Sequence, residues 1–365
     1  MPIRAQTDRI FDIAVCLRPF RAAGPRLDVE RLGDTYVVHN YGHGGSVWSL
    51  SWGSSAVAAR EAMATSPREV AVIGCGALGL TSAILAQRAG ARVTIYAREL
   101  LPQTPSARAT GAWTPDSRIA LAEAAPPDFA ALWEEMARTA FKMHRDYLGL
   151  PGIPVEWTDF YSVASDDEPQ SSSAVPRQEL DFADYRQRIA DLIPKPRKLS
   201  PDAAPFRASA VYRSENMIFN ISDYGHTLLN DFFVAGGQFE HADFQTPSQI
   251  ASLGNSVVIN CTGYGARALW KDETITPVRG QIARLIPQQD VHYGLSYRHV
   301  YVVPRRDGIV VQNLEGGEMQ GFGDASETVD RAESDRAVTT LAELFSPAHW
   351  RGTAPAAPDG SPQLS

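Results

Sequence analysis

The chain contains little cysteine. Only three of its 365 residues are cysteines, Cys16, Cys75 and Cys261, and three thiols cannot all pair with one another. No two of them have the spacing of a metal-ligand pair, so the sequence indicates no metal site. Each lies in an apolar run, which predicts buried thiols. Since nothing points to a disulfide framework, we expect a cytoplasmic protein.

The sequence also lacks an excess of basic residues and long hydrophobic runs. Its 34 lysines and arginines are outnumbered by 42 aspartates and glutamates, a formal net charge of −8. This balance argues against a nucleic acid or an anionic membrane as a partner. We expect neither a membrane span nor a signal peptide. With 44% hydrophobic and 21% charged residues, the chain is typical of a soluble enzyme of two domains.

A glycine-rich turn is the strongest positive signal. Residues 70–79 read VAVIGCGALG, a buried strand that opens into a turn and then a helix. In a dinucleotide fingerprint Gly74 would allow the sharp turn, Gly76 the close approach of a pyrophosphate, and Gly79 the packing of helix on strand. Glu99 lies 20 residues further on, where an acidic side chain would bind a ribose hydroxyl. The segment predicts binding of an adenine dinucleotide, against accidental loop glycines as the alternative.

Hydrophobic periodicity predicts the other elements. Strands are expected at 10–17, 36–40, 92–96, 156–164, 257–260, 281–286, 300–304 and 308–313, and helices at 54–63, 77–88, 127–148, 224–235 and 338–345. Residues 166–175 are polar and serine-rich, a loop or lid, and residues 351–365 are expected to be disordered. The order predicts an α/β nucleotide-binding domain interleaved with an α+β substrate domain.

Four further segments contain residues suited to chemistry. Arg18 stands between an apolar run and a proline, and is either a surface charge or a clamp for a carboxylate. Residues 39–53 (HNYGHGGSVWSLSWG) hold glycines that favour close backbone approach to a ligand, whereas their two histidines lack a third ligand for zinc. The segment NCTGYGARAL, residues 260–269, begins at the last residue of the short strand expected at 257–260. Tyr297 and Tyr301 are four apart, either lining one wall of a pocket or half-buried in a strand.

Together these segments resemble the D-amino acid oxidase family of flavoproteins over nearly the whole chain. GCGALG is similar to the family's FAD fingerprint, and TPSARATGAWTP at 104–115 to its flavin-proximal segment; NCTGYGARAL and TPVRGQI at 276–282 follow in family order. The resemblance implies FAD as the cofactor. The implied FAD-binding residues are Gly74, Gly76, Ala77, Leu78, Gly79, Arg98, Glu99, Thr110, Gly111, Trp113, Thr262, Gly263, Gly44, Ser46 and Ser49.

The resemblance also implies catalytic residues. Arg18 in LRPFR would bind the substrate carboxylate, Tyr301 would hydrogen-bond the same group, and Tyr297 would shape or cover the pocket. The backbone of Gly45 would face the amino group. The implied fold is an α/β Rossmann-like FAD-binding domain interleaved with an α+β substrate domain on a mainly antiparallel sheet. The FAD-binding domain would comprise residues 22–118 and 213–268, and the substrate domain residues 1–21, 119–212 and 269–350.

The order of the segments differs from that of the family. LRPFR and HNYGHGG close the chain in the family, but here they precede the fingerprint. The chain therefore resembles a circularly permuted member, with residues 64–68 as the linker between the family's last helix and its first strand. A gene-model artefact is the alternative. Circular permutation costs a fold little stability where its termini lie close together on the surface.

The implied reaction is oxidation of an amine. A hydride passes from the α-carbon to flavin N5, the imine is hydrolysed to a 2-oxo acid and ammonia, and dioxygen reoxidises the flavin to give hydrogen peroxide. The partners would be a small amine or amino acid and dioxygen, with a homodimer as a family-level expectation. Open alternatives are a glycine- or sarcosine-type or tailoring amine oxidase, a non-catalytic flavin-binding protein, and an NAD-linked dehydrogenase.

One segment departs from the family pattern, and the role of a second segment is open. Ser46, Val47 and Trp48 stand where an aromatic residue and a glycine usually follow, so bulk near the flavin is expected. Arg298 and His299 would either suit an acidic substrate side chain or form a solvated strand end.

Overall fold

The computed structural model describes residues 1–165 and 180–351. The lid prediction for residues 166–175 and the disorder prediction for the tail beyond residue 351 lie outside the described residues. Strands numbered along the described chain are β1 (Ile10–Arg21), β2 (Val29–Leu32), β3 (Thr35–His39), β4 (Glu69–Ile73), β5 (Arg92–Ala97), β6 (Val155–Val163), β7 (Arg197–Lys198), β8 (Val211–Phe219), β9 (Gln238–His241), β10 (Val257–Asn260), β11 (Ile275–Leu285), β12 (Tyr293–Tyr297), β13 (Val300–Arg305) and β14 (Gly308–Asn313).

The helices cover the sheet faces and connect the strands. They are α1 (Val47–Ala62), α2 (Ala77–Arg88), α3 (Phe129–Arg145), α4 (Ile221–Val234), α5 (Pro247–Ala251), α6 (Ala266–Leu269) and α7 (Arg331–Leu344). None of the helices in residues 1–165 and 180–351 combines the length and apolar composition that crossing a bilayer requires. The cytoplasmic location stays a prediction.

A six-stranded sheet carries the dinucleotide-binding half. Its order is β2-β3-β10-β4-β5-β9, with all neighbours parallel except the edge strand β2. Strand β4 is central, and four of its five residues are buried because both faces are covered. Helices α1 and α2 pack together on one face. The carboxyl ends of β4, β5 and β10 therefore meet at one edge, where ligands bind in open parallel sheets.

An eight-stranded sheet forms the second half, in the order β1-β11-β14-β13-β12-β6-β8-β7. Its neighbours are antiparallel except for the parallel pair β12 and β6. Helix α7 buries its apolar side in a cluster with this sheet, including Val338, Leu341 and Leu344. The two sheets confirm the predicted combination of a Rossmann-like domain with a mainly antiparallel substrate sheet.

Two predicted boundaries are wrong. The division at residue 213 falls inside β8, which pairs with β6 over Val211–Phe219 and so belongs wholly to the larger sheet. The first helix begins at Val47, not at residue 54. Its serines and Gly53 favoured a loop by propensity, but tertiary packing overrides this preference. A Cβ on Gly53 would lie 1.9 Å from the Met136 carbonyl oxygen, so the glycine allows α3 to contact α1 closely.

Replacing Gly53 by alanine should therefore destabilise the fold by about 3 kcal/mol, because α3 must move away from α1. Chemical denaturation of the holoenzyme measures the effect. The control is Gly33→Ala, where nothing lies within 4 Å of the added methyl and only the left-handed backbone contributes, about 1 kcal/mol. Equal losses in the two variants would contradict the packing role of Gly53.

Candidate active site

A cavity of about 1000 Å³ lies where residues of both sheets meet. This volume is at the upper end of the range of about 300–1,000 Å³ for small-molecule sites. Its walls include the turn after β4, the ends of β5 and β10, and side chains from β1, β13 and β14. One end is therefore built by the Rossmann-like sheet and the other by the antiparallel sheet.

The glycine turn at the first end has the geometry that the fingerprint predicts. Gly74 has φ +102°, and a Cβ there would lie 2.6 Å from the Cys261 carbonyl oxygen. A Cβ on Gly79 would lie 2.0 Å from the Gly74 carbonyl oxygen, so α2 can pack on the turn only through glycine. Gly76, Ala77 and Leu78 line the cavity at the N-terminus of α2, where backbone N–H groups favour an anion.

The strand ends beside this turn complete the nucleotide end. Arg98 and Glu99 follow β5 and line the cavity, as do Thr262 and Gly263 after β10. The Thr262 hydroxyl donates to Asn260 Oδ1 at 2.8 Å, which orients the loop. The glycine turn, which has no room for a side chain, and the N-terminus of α2 fit the pyrophosphate of FAD, and the acidic Glu99 fits its ribose.

Backbone and small side chains form the middle of the cavity. Thr110, Gly111, Gly44, Gly45 and Ser49 all line it. Ser49 Oγ accepts a hydrogen bond from the Thr114 N–H at 2.7 Å. A Cβ on Gly111, which has φ +92°, would lie 2.7 Å from the Phe219 carbonyl oxygen. These contacts hold residues 110–114 between α1 and the end of β8.

Val47 and Trp48, for which bulk near the flavin is predicted, lie at the start of α1. Val47 and Trp48 line the cavity, and Trp48 Nε1 donates to the Ser106 carbonyl at 2.8 Å. On its other side the Trp48 carbonyl lies 3.1 Å from His144 Nε2. Burial lowers the pKa of His144 to about 3, so the neutral ring donates from Nε2 and accepts at Nδ1 from the Tyr224 hydroxyl, 2.8 Å away. This series of buried hydrogen bonds fixes the position of the start of α1.

Some residues predicted to bind the cofactor lie behind the cavity wall. Ser46 Oγ donates to the Ser117 carbonyl at 3.0 Å, and Trp113 Nε1 donates to the Ser49 carbonyl at 3.3 Å. Neither side chain lines the cavity, and Gly79 acts through packing. Their geometry supports positioning of the wall, not direct contact with a ligand.

The shared wall predicted for Tyr297 and Tyr301 is wrong. Arg298 and His299 form a hairpin turn between β12 and β13, and Tyr301 pairs with Ser296 while Tyr297 pairs with Val300. Because paired residues share a face, the two tyrosines lie on opposite faces. Tyr301 lines the cavity, whereas Tyr297 is 3% exposed in the cluster that contains α7. Arg298 pairs with Glu343 at 2.7 Å, outside the cavity wall.

Arg18 has the environment of an anion clamp. It lines the cavity from β1, beside β11. A Cβ on Gly280 would lie 2.4 Å from Arg18 Nη2, so the glycine of RGQI makes room for the guanidinium. Within residues 1–165 and 180–351 no side chain or carbonyl forms a hydrogen bond or ion pair with the Arg18 guanidinium. Its donors are therefore available to a ligand carboxylate.

Tyr301 and Gln312 lie in the same part of the cavity. They are paired across β13 and β14, and both line the cavity. Burial raises the pKa of Tyr301 to about 12, so the phenol stays protonated and can donate near neutral pH. Gln312 was not predicted from the sequence. The feature that could have indicated it is a polar side chain next to the last residue of the otherwise apolar strand Gly308–Asn313.

Replacing Tyr301 by phenylalanine should raise KM for carboxylate-bearing amines by about 10-fold, the value of one hydrogen bond to a charged group. The control is Tyr297→Phe, on the opposite face of the sheet, which should leave KM unchanged. Steady-state kinetics on the two variants measure the difference. A larger effect of the Tyr297 variant would contradict the observed register.

All three cysteines are buried, as predicted, and all line the cavity. Burial raises the pKa of Cys75 to about 11 and that of Cys261 to about 12. These two thiols, of Cys75 and Cys261, are therefore neutral near pH 7 and act as small apolar groups. In the described parts of the chain no group of three or more His, Cys, Asp or Glu residues is placed to hold a metal ion.

The chain matches a known family and several known proteins. The model of the family described as "DAO: FAD dependent oxidoreductase" matches residues 69–365. A D-amino-acid oxidase of Streptomyces coelicolor is 29% identical over 220 residues, covering 59% of this chain and 58% of that protein. One of Dictyostelium discoideum is 26% identical over 244 residues, covering 66% and 64%. The chain thus matches about three fifths of the length of these relatives.

Among solved structures, glycine oxidase from Geobacillus kaustophilus is similar at 15% identity and a TM-score of 0.48, covering 76% of this chain and 77% of that one. Iminodiacetate oxidase from Chelativorans sp. BNC1 is similar at 16% identity and a TM-score of 0.48, covering 79% and 84%. The family match extends over far more than half of the chain. The protein therefore belongs to the DAO family of FAD-dependent oxidoreductases.

Proposed function

We propose that the protein is an FAD-dependent oxidase of a D-amino acid or a related amine that carries a carboxylate. The observation that carries the proposal is the guanidinium of Arg18, seated over Gly280 in the cavity and without a partner among the described residues. A cation prepared in this way matches a ligand carboxylate. A glycine- or sarcosine-type amine would use the same clamp. Family membership decides between FAD and NAD in favour of FAD.

The chain's own residues bind and orient the substrate. Arg18 would pair with the carboxylate, and the protonated phenol of Tyr301 would donate a second hydrogen bond to it. The backbone at Gly45, which also lines the cavity, would face the amino group. Holding a substrate at two points fixes the direction of its α-carbon, and such positioning supplies a large part of a rate enhancement.

The reaction breaks the bond between the α-carbon and its hydrogen. The hydrogen leaves with the bonding electron pair, the nitrogen lone pair forms the C=N bond, and a proton on nitrogen passes to solvent. Water then adds to the imine and ammonia leaves, which gives the 2-oxo acid. FAD, when bound, supplies the two-electron acceptor, from which dioxygen takes the electrons to become hydrogen peroxide. No side-chain base is required if the amine is bound neutral.

The test measures products. Purified holoenzyme is incubated in air with D-amino acids, their L-enantiomers, glycine and sarcosine, and peroxide, 2-oxo acid and the released amine (ammonia, or methylamine from sarcosine) are quantified. Equal amounts of all three from a D-amino acid support the proposal, and the same result from glycine alone supports the glycine-type alternative. Absence of peroxide with every amine would contradict oxidase activity and favour a flavin-binding protein without it.

We also propose that the chain is circularly permuted. Support comes from the family match, which begins at residue 69, and from residues 1–68, whose β1 pairs with β11 and whose β3 pairs with β10. Ile3 lies in the same cluster as Leu344 of α7, so the first residues pack beside the last helix. Joining residue 365 to residue 1 and opening the chain within residues 64–68 should give a protein that folds and binds FAD. Failure of this variant to bind FAD would contradict the proposal.

A further inference from the structure

A second arginine lies in the cavity wall near Arg18. Arg118 lines the cavity together with Arg18, although only 7% of its surface is exposed. Nothing in the sequence singled it out, because its role depends on the fold around it. Buried arginines are rare in proteins unless a partner compensates their charge.

The backbone holds Arg118 in an unusual conformation. Its φ is +48°, a left-handed value that costs energy for a residue with a Cβ. Its carbonyl oxygen would lie 2.0 Å from a Cβ on Gly44, so the glycine is required for this contact. The Ser117 carbonyl accepts a hydrogen bond from the Gly45 N–H at 3.0 Å. Strain of this kind persists where surrounding structure enforces it, often at binding sites.

The partners of the Arg118 guanidinium are neutral. Nε donates to the Glu318 carbonyl at 2.6 Å, and Nη2 donates to the Gly317 carbonyl at 3.1 Å. Among the described residues Nη1 has no hydrogen-bond partner. The two carbonyls orient the guanidinium without forming an ion pair with it, and among the described residues Nη1 remains available.

The two arginines are close enough to affect each other. Burial and the charge of Arg18 lower the pKa of Arg118 to about 10, and Glu318 offsets part of this effect. Glu318 is exposed, and its carboxylate forms no ion pair within 4.0 Å with a described residue. Arg108, another arginine of the cavity wall, contacts Glu327 at 3.9 Å. Glu318 also lines the cavity, but neither Arg18 nor Arg118 forms an ion pair with a carboxylate in the part of the chain that the structure describes.

We propose that Arg118 binds a second carboxylate of the substrate, so that the amine oxidised here carries two carboxylates, one at Arg18 and one at Arg118. The inference rests on the proposed function and names its substrate class. The second carboxylate could belong to the side chain of a dicarboxylic amino acid or to an N-carboxymethyl group. The bonds broken and formed at the α-carbon are the same in both, but hydrolysis of the imine releases ammonia in the first case and glycine in the second. Binding of two anionic groups would neutralise both cations.

The kinetic test compares substrates that differ in the second carboxylate. D-aspartate and D-glutamate are compared with their isosteric amides D-asparagine and D-glutamine, and iminodiacetate is compared with sarcosine, which has a methyl group in place of one carboxymethyl group; kcat/KM is measured for each. We expect the dicarboxylates to be preferred by roughly 100-fold, the effect of leaving a buried charge unpaired. The D-amino acid arm and the iminodiacetate arm distinguish the two sources of the second carboxylate. Equal kcat/KM within every pair would overturn the inference.

Three variants assign the effect to Arg118. In Arg118→Met the preference should fall to within a few-fold, and in Arg118→Lys it should be partly restored. The control is Arg186→Met, since Arg186 pairs with Asp116 and Asp184 outside the cavity wall; it should keep the wild-type preference. If Arg118→Met lowers kcat/KM equally for the two members of every pair, the residue is structural and the inference is wrong.

A binding measurement separates this inference from the proposed function. Succinate and glutarate cannot be oxidised as amines, and their binding to the holoenzyme is measured by calorimetry against butyrate. Tighter binding of the dicarboxylates, lost in Arg118→Met, supports the paired site even if no amine is oxidised, in which case only the proposed function fails. Oxidation of neutral amino acids without tighter dicarboxylate binding would leave the proposed function standing and overturn the inference.

Discussion

Replacing Arg18 by methionine should lower kcat/KM for carboxylate-bearing amines by roughly 100- to 1000-fold, while the FAD content stays unchanged. The size follows from the loss of a bidentate, charge-assisted contact with the substrate carboxylate. FAD content should not change, because Arg18 lies at the antiparallel-sheet end of the cavity, away from the glycine turn. Steady-state kinetics and the visible spectrum of the purified variant measure the two quantities.

Two further variants make this test specific. Gly280→Ala keeps the charge but places a methyl 2.4 Å from Arg18 Nη2, so it should raise KM by displacing the guanidinium. Arg21→Met removes an arginine from the same strand that pairs with Asp272 at 3.4 Å outside the cavity, and KM should not change. Unaltered turnover of carboxylate substrates by the Arg18 variant would show that the clamp is assigned to the wrong residue.

Replacing Gly79 by alanine should weaken FAD binding by roughly 100-fold. The added methyl would lie 2.0 Å from the Gly74 carbonyl oxygen, and the helix or the turn must shift to relieve the overlap, at a cost of about 1–3 kcal/mol. Either movement displaces the N–H groups at the start of α2 from the pyrophosphate position. Fluorescence titration of the apoprotein with FAD measures the affinity.

Gly90→Ala, just beyond the other end of α2, is the control for a general loss of stability. Its φ is +98°, and nothing lies within 4 Å of the added methyl, so this variant loses about 1 kcal/mol through backbone strain. It should bind FAD with unchanged affinity. If the two variants bind FAD equally well, Gly79 does not shape the phosphate site.

The dinucleotide-binding unit could be predicted from the sequence almost residue by residue. Strand β4, the glycine turn and α2 are a local signal, because the turn needs a left-handed residue at Gly74 and a missing side chain at Gly79. The burial of β4 is equally local, since a strand covered on both faces is apolar throughout. Helix α2 was predicted with the bounds observed, Ala77–Arg88.

The errors concern features that depend on distant parts of the chain. Helix α1 begins seven residues before the predicted start because Gly53 contacts the backbone of α3, which periodicity cannot show. Tyr297 and Tyr301 separate because a hairpin turn lies between them, although a spacing of four within one strand would place them together. The position of the Arg118 side chain depends on a strained backbone at this residue, which is packed against Gly44. Such tertiary contacts leave no periodic pattern in the sequence.

The most direct test of the central claim is an anaerobic titration of the purified holoenzyme with D-amino acids and their L-enantiomers, followed through the visible absorbance of bound FAD. Our account predicts that D-amino acids bleach this absorbance, with the dicarboxylates fastest, and that admission of air restores it with formation of hydrogen peroxide. Bound FAD that no carboxylate-bearing amine bleaches would contradict the account.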